Sequence, residues 1–591
     1  MLVSLLSNLR CLVSLLGLAA LLHLPAASWA QAPAWAWARN QVMTSPSGGI
    51  GTALITPRRV AVDGSGNSYV YGNFGGTLTL GAFSLSNAGG ADLYVAKYDP
   101  AGTCLWARSF GGVGAEFAQD LAVDATGNVF VTGYFEDDVA FGTTTLSAGP
   151  AITMRGALFV GKLNTAGTWQ WATKFGVDNR MARATTVGVA LAPNGDVLLG
   201  GTFNDLVYRS TFPFNFGSTV LVANGNYADV FAARLDPTGT TWRWAIRAGG
   251  PQPDGATAIA TDAAGNAYLT GFFDGPADFG GQSLASAGGN GDVFVAKLDP
   301  AGQWAWASGG GGNSIDAGTS ISTDAAGNCA IVGRIAGSYG ATVTFGSTTL
   351  VLNPGVASSA PDVLVAKLNS SGQWQWAARA GGRGEDAGTG VALDAQGRVF
   401  AVGTVSVGAD FGSTTINNTP AGNPTVSGDK FLGLLSAAGS WQWVTQVGLT
   451  RSSPVYNPAL AFDGRNVFVT NAYIGQADFG VAAFSPAANA DNAGYLAKLG
   501  AVPLAARVAG APGLLFSVAP NPVTNGREAV VHASMVGQLE VRDVLGREVM
   551  PRLALNPGER ALNLPATLAP GLYLATLRTT AGIATQRLLV E

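Results

Sequence analysis

Asp292–Ala307 reads DVFVAKLDPAGQWAWA, and Asp362–Ala377 reads DVLVAKLNSSGQWQWA. Each opens with a short apolar run and ends with two tryptophans one residue apart. Between the halves, DPAG and NSSG carry turn residues. Proline presets φ for the turn, and glycine takes a positive φ at no steric cost. The stretch therefore predicts two strands joined by a tight hairpin. A phrase of this length that recurs calls for a search for its period.

Four phrases recur, each seven times. W-x-W begins at Trp35, Trp169, Trp242, Trp304, Trp374 and Trp441, with Cys104-Leu105-Trp106 as a worn copy. These copies hold 13 of the 14 tryptophans; the other, Trp29, lies near the chain start. A D-x-x-G-N turn stands at Asp63, Asp124, Asp262 and Asp324, with variants at Asn194, Asp394 and Asp463. An F-G pair stands at Phe141, Phe216, Phe279, Phe345, Phe411 and Phe479, with Leu80-Gly81 in the first repeat, at spacings of 61 to 75 residues. The VAKLD phrase ends at Asp99, Asn164, Asp236, Asp299, Asn369, Ser436 and Gly500.

Each unit thus holds about four short strands and no helical pattern. Even repetition of small sheets predicts an all-β fold, a seven-bladed β-propeller over residues 31–500. The first W-x-W has no VAKLD before it, and the last VAKLD has no W-x-W after it. This one-strand offset predicts that an N-terminal strand, Trp35–Ala38, pairs with Tyr495–Lys498 and closes the ring, removing an open edge. Within each W-x-W, strand alternation predicts both rings on one face. The repeats GNVFVTGYF, GNAYLTGFF and DVFVAKLDPAGQWAW resemble the seven-bladed β-propeller (SBBP-type) repeat family of bacterial secreted proteins, a resemblance that speaks to fold rather than to function.

The chain ends predict a destination. Residues 1–30 carry Arg10, the apolar run CLVSLLGLAALLHL and small residues before Gln31, the pattern of a cleaved signal peptide. No later stretch is long and apolar enough to span a bilayer as a helix. Residues 501–515 read as a linker, and the alternation over 516–591 predicts a small antiparallel, immunoglobulin-like β-sandwich. This region resembles the C-terminal sorting domain of type IX secretion cargo of Bacteroidetes-type bacteria. Phe516, Pro520, Asn521 and Pro522, the Val541–Val549 hairpin, Gly571, Tyr573 and Arg587 carry the likeness, although lysine is common where Arg587 stands. The resemblance implies the type IX secretion machinery as a partner. It also implies an extracellular or outer-membrane-surface location.

Composition narrows the chemistry. Net charge is −4, so nothing suggests a nucleic-acid partner. The only histidines are His23 and His532, outside the predicted propeller, which removes Ser-His-Asp and Cys-His catalysis and histidine-ligated metals there. Cys104 and Cys329 lie on different repeats and read as separate thiols. Repeated residues, such as the tryptophans, Lys97 and Lys297, or Asp92 and Asp229, read as scaffold. The D-x-x-G-N turns lack the further ligands of a calcium loop. Glu136-Asp137-Asp138 is an acidic cluster in one loop, readable as solvated surface or as a cation site. No cofactor is implied, with calcium as the exception to test.

Two connections in each unit are short and two are long, and in an up-down sheet the long ones share one face, where binding residues gather. Eight residues before the D-x-x-G-N aspartate stand Glu116, Asp254, Asp316 and Asp386. These four carboxylates read either as caps on loop amides or as a ring that binds a cation or polyol. The sequence therefore leads to a secreted, non-enzymatic binding or adhesion module for an extracellular glycan or protein. Two alternatives stand beside it: a polysaccharide hydrolase or lyase using Asp and Glu at the same mouth, and a purely structural surface protein.

Overall fold

The computed structural model describes residues 32–44, 54–148, 156–176, 186–203, 213–338, 340–352, 360–416, 429–448, 457–487, 490, 492–500, 516–519, 528–543, 547–565, 568, 571–579 and 582–590. The expected signal peptide and the linker 501–515 lie outside them. The chain divides into two compact units, 1–500 and 501–591. Among the described residues there is no helix, and so none long and apolar enough to cross a membrane.

The first unit is a succession of antiparallel sheets compatible with propeller-like repeats. Six have four strands each, hydrogen-bonded in chain order apart from a small hairpin between the second and third. The fourth sheet serves as the pattern: Asp254–Thr261, Ala267–Phe273, Asp292–Leu298 and Trp304–Gly310. The second strand is buried nearly throughout, as an apolar run between two neighbours must be. The F-G pair forms the separate hairpin, Ala277–Phe279 with Gln282–Leu284. First strands pack on one another from sheet to sheet, and the first strand of the last sheet, Ala459–Phe462, packs back on that of the first, Ile55–Val62.

The last sheet takes its fourth strand from the other end of the unit. Trp35–Thr44 pairs with Ala493–Leu499, with Trp37 opposite Lys498, Ala38 opposite Ala497 and Asn40 opposite Tyr495. The expected partners meet, but about two residues further along than a direct reading of the phrases implies. The same strand then runs on to pair Val42 with Thr79 in the F-G hairpin of the first sheet. One strand thus bridges the first and last sheets.

The expectation that both tryptophans share a face is wrong, and the reason is local. Every W-x-W sits on a β-bulge. Lys297 faces Trp306 while Leu298 faces Trp304, so Ala305 is the extra residue. Corresponding shifts occur in the other sheets. A bulge cancels the alternation of side chains across it, and the two rings leave on opposite faces.

The first tryptophan packs edge-on against the F-G phenylalanine of its own sheet. Trp169–Phe141, Trp242–Phe216, Trp304–Phe279, Trp374–Phe345 and Trp441–Phe411 have centroids 4.9–5.1 Å apart. Trp35–Phe479, at 5.2 Å, makes the same pair from opposite ends of the unit. In the first sheet Cys104 replaces the tryptophan and Leu80 the phenylalanine, so both members of the pair change together.

The second tryptophan reaches the next sheet. Its indole N–H donates to a carbonyl in the hairpin turn there: Trp37 to Pro100, Trp106 to Thr165, Trp171 to Pro237, Trp244 to Pro300, Trp306 to Ser370 and Trp376 to Ala437, all at 2.9–3.2 Å. The turn glycine receives the ring. Gly302 has φ +83°, and a Cβ there would lie 2.8 Å from the Trp244 ring. This is why a glycine-bearing turn precedes W-x-W in repeat after repeat: each turn accepts the tryptophan of the sheet before it. Among the described residues Trp443 has no such partner, because the last sheet joins strands from distant parts of the chain rather than through a hairpin turn.

The second unit holds two antiparallel sheets. One contains Phe516–Ala519, Glu528–Ala533 and Gly558–Asn563; the other contains Leu553–Leu555, Gly537–Asp543, Gly571–Thr579 and Gly582–Val590. They share one core, with Val518, Val531 and Leu562 from the first and Val541, Ala575 and Leu588 from the second.

Gly302→Ala should cost more than Gly281→Ala. Both glycines have positive φ, but nothing lies within 4 Å of a Cβ at Gly281. Backbone strain alone costs about 1–2 kcal/mol, and the clash with Trp244 should add about 1–3 kcal/mol. Chemical denaturation of the two variants checks this. A chain that starts at residue 45 loses the bridging strand with Trp35 and Trp37, each worth roughly 2–3 kcal/mol of burial. Its denaturation midpoint should fall and light scattering should rise through the freed edge.

Candidate functional site

The strand order places the two long connections of each sheet on one face, where first strands begin and second strands end. Glu116 and Asp254 open first strands, opposite Phe135 and Phe273 at the ends of second strands. Asp316 and Asp386 immediately precede Ala317 and Ala387, the starts of theirs. All four residues expected at the mouth therefore stand at equivalent places on this face.

Their side chains are buried. Each accepts hydrogen bonds from loop amides four residues back. Gly250 N–H donates to Asp254 at 2.5 Å, Gly312 to Asp316 at 2.8 Å, Gly382 to Asp386 at 2.7 Å and Gly112 to Glu116 at 3.2 Å. The second oxygen of each aspartate accepts from the end of the second strand: Asp274 N–H to Asp254, Ala336 to Asp316 and Ser406 to Asp386. One carboxylate thus ties together the connection into its strand and the connection out of the next.

A second acid stands beside each. Asp92, Asp229, Asp292 and Asp362 open third strands and flank the same glycine as Glu116, Asp254, Asp316 and Asp386. A Cβ on Gly111 would lie 2.6 Å from Glu116 Oε2 and 2.7 Å from Asp92 Oδ1. Neither oxygen has a hydrogen-bond partner among the described residues. Burial, and then the Asp92 charge, push Glu116 up to about 8. Burial does the same to Asp254, to about 8, with Asp229 adding to it. It raises Asp386 to about 7, Asp229 to about 7 and Asp316 to about 6. Arg247, 3.2 Å from Asp229, and Arg379, 3.4 Å from Asp362, offset part of this in two of the pairs.

The axial space is narrow. A cavity of about 180 Å³ is bounded by first strands from every sheet, through Arg59, Asp120, Val189, Ile259, Ser320, Thr389 and Leu460. Arg59 and Asp120 pair across it at 2.8 Å, and Asp120 also accepts from Val189 N–H. A larger cavity of about 690 Å³ opens on the long-connection face between the first and second sheets. Arg58 and the half-exposed ring of Phe117 line it. Sequence reasoning missed Arg58 because it looked for residues shared among repeats, and Arg58 belongs to one repeat alone.

The repeated lysines act within the scaffold. Lys97 lies over Tyr69 and 3.7 Å from Asp63; Lys297 stands likewise to Tyr268 and Asp262. The D-x-x-G-N aspartates close their own hairpins, Asp63 accepting from Ser65, Asn67 and Tyr69. Glu136, Asp137 and Asp138 follow the second strand of the second sheet. Among the described residues no group of three or more His, Cys, Asp or Glu is placed to hold a metal. Cys104 and Cys329 are free thiols, and burial raises both to about 12, which keeps them protonated. In the second unit Gly571 opens a strand, Tyr573 is buried opposite Asp543, and the backbones of Phe516 and Arg587 pair with Ala533 and Leu574. Pro520, Asn521 and Pro522, and the side chains of Phe516 and Arg587, lie outside the described residues.

No family model matches the chain. An uncharacterized WD repeat-containing protein of Acanthamoeba polyphaga mimivirus is 27% identical over 173 residues, and the match spans only 12% of that protein's length. Among solved structures, a protein of unknown function from Dyadobacter fermentans aligns over 78% of this chain and 98% of its own, at 10% identity and a TM-score of 0.33. The NanB sialidase of Streptococcus pneumoniae aligns over 78% of this chain and 70% of its own, at 9% identity and a TM-score of 0.32.

The acid pairs should make stability depend on pH. A carboxyl raised in the folded state binds more protons there than in the unfolded chain, so stability falls as pH rises. The window runs from the ordinary carboxyl range near 4 up to about 8, the folded value for Glu116 and Asp254. The melting temperature should therefore be higher at pH 5 than at pH 8.5. Glu116→Gln combined with Asp254→Asn, which mimics the neutral forms, should reduce the difference and leave the part owed to Asp229, Asp316 and Asp386. Calorimetry at the two pH values checks it, and a rise in melting temperature with pH would contradict the assignment.

Proposed function

We propose that this chain is a seven-bladed β-propeller, closed by its N-terminal strand, that acts as a non-enzymatic binding or adhesion module. In this reading the second unit is an immunoglobulin-like sorting domain, and the chain reaches the outer-membrane surface or the medium through type IX secretion. The observation that carries the binding role is the division of labour among the repeats. Residues shared by the sheets hold neighbours together or brace loops, and the residues that differ are gathered on the long-connection face. A rigid ring with one variable face is a scaffold for recognition. Glu116, Asp254, Asp316 and Asp386 serve that face in this proposal by holding its loops in place, with calcium as an additional ligand to test.

A polysaccharide hydrolase or lyase is the competing reading, and one observation favours it. The raised carboxyls of Glu116 and Asp254 are of the kind that general acids use. Against it, each is buried and already accepts loop amides.

A glycan and protein array probed with the unit spanning residues 31–500 should show binding without release of oligosaccharide. Released product would establish the enzyme instead, and silence on all arrays would favour a purely structural protein. In the native host the full chain should reach the surface, whereas a chain lacking residues 516–591 should stay in the periplasm.

A further inference from the structure

We propose that the cavity beside Arg58 binds a carboxylate-bearing sugar, a hexuronic-acid residue of an acidic glycan. The Arg58 guanidinium would take the carboxylate, and the Phe117 ring would lie against the flat carbon face of the sugar. The proposal rests on the binding-module reading and names the ligand class of that face.

The argument starts from a break in the repeat. Five first strands carry a bulge near their starts; in three the extra residue is a threonine, and in the second sheet it is Gln119. Thr257, Thr319 and Thr389 donate to Gly318, Gly388 and Pro458 of the neighbouring sheet, each at 2.6 Å. In the first sheet the extra residue is Arg58. A bulge re-aims a side chain, and here it aims a guanidinium where three other sheets place an inter-sheet latch. Arg59 beside it is neutralised by Asp120. Arg58 makes no side-chain hydrogen bond and no ion pair with any described residue.

Arg58 is solvent-accessible yet surrounded by protein, because it faces the cavity rather than the outer surface. A guanidinium that no protein group engages is hydrated, and an incoming carboxylate can replace that water with charge-assisted hydrogen bonds. The cavity volume of about 690 Å³ is that of a ligand site rather than a packing defect. The planar fork of arginine matches a carboxylate with two parallel hydrogen bonds. No second lysine or arginine lines the space, and Glu116 and Asp92 adjoin the lining residues Phe117 and Ala91 in the chain. A dianionic phosphate calls for more than one cation, and this space supplies a single guanidinium; a single carboxylate is the better match.

Phe117 supplies the other half. It is 44% exposed, although the residues on either side of it in the strand, Glu116 and Ala118, are buried. A large ring left bare beside a lone cation suits a ligand with one apolar face and one charged edge, as a hexuronic acid has. An acidic peptide would bring the same carboxylate but also needs partners for its backbone. The amides lining the cavity are already engaged. Asn73 bridges the Glu116 carbonyl and the Ala118 N–H, and Asn87 holds Gly76, Gly89 and Gly90.

The test uses tri-galacturonate and its neutral galactose counterpart, with titration calorimetry on the intact chain. The wild type should bind the acidic trisaccharide and ignore the neutral one. Arg58→Gln should weaken binding by roughly tenfold or more, with an unchanged melting curve. Arg58→Lys should recover only part of it, and Phe117→Ala should weaken it without altering the charge preference. Equal binding by wild type and Arg58→Gln would overturn the site while leaving a binding module in place. So would a failure of the wild type to bind, preference for an aspartate-rich peptide, or displacement by inorganic phosphate as effective as by acetate. Cleavage of the trisaccharide would overturn the non-enzymatic reading instead, and the site would stand if Arg58→Gln raised KM without lowering kcat.

Discussion

The first unit depends on one contact, the seating of a tryptophan on a glycine in the next sheet's turn. The glycine meets two demands at once. It holds a positive φ that side chains resist, and it leaves room for an indole that a Cβ would strike. The indole N–H then satisfies a turn carbonyl, so the junction is apolar over its area and polar at one fixed point. That combination fixes how far each sheet slides past the next, which burial alone does not. The bulge in W-x-W makes the contact possible by turning one ring inward to its own sheet and the other outward to its neighbour.

Much of this was legible in the sequence, for a definite reason. Turn residues and apolar runs report local backbone preferences, and seven copies of the same preferences reinforce one another. The pairing of Trp35–Thr44 with Ala493–Leu499 was readable from a counting mismatch alone. The face of each tryptophan was not, because a one-residue bulge leaves no compositional mark and reverses the alternation rule on which the reading relied. The four acids were located by their spacing, but their burial was not, since an aspartate at a strand start looks the same whether it faces water or a loop amide. Arg58 was invisible for the opposite reason. A search for what repeats discards what does not, and the departures from the repeat are where recognition has room to arise.

The acid pairs show how a scaffold constraint shapes a surface. Asp254, Asp316 and Asp386 each brace two connections through a few short hydrogen bonds, and each does so beside a second carboxylate. Loops held this way have already lost freedom, which in the proposed binding role would lower the entropy cost of ordering them around a ligand. The same bracing hides the carboxylates from solvent, which separates the work of shaping the face from the work of touching a ligand.

The bridging strand has a kinetic consequence as well. Trp37 and Lys498 are more than 450 residues apart in sequence, yet they sit in one ladder. Contacts of such high sequence separation form late, after the loop between them has been closed. Sheets from the first to the sixth can assemble from local hairpins as the chain emerges, but the last sheet must wait for residues that come hundreds of positions after its fourth strand. Until then the unit is an open arc with two raw edges. Closure therefore removes both edges in a single step, and the order in which the two ends of the unit meet sets the moment at which the last unpaired strand groups are withdrawn from solvent.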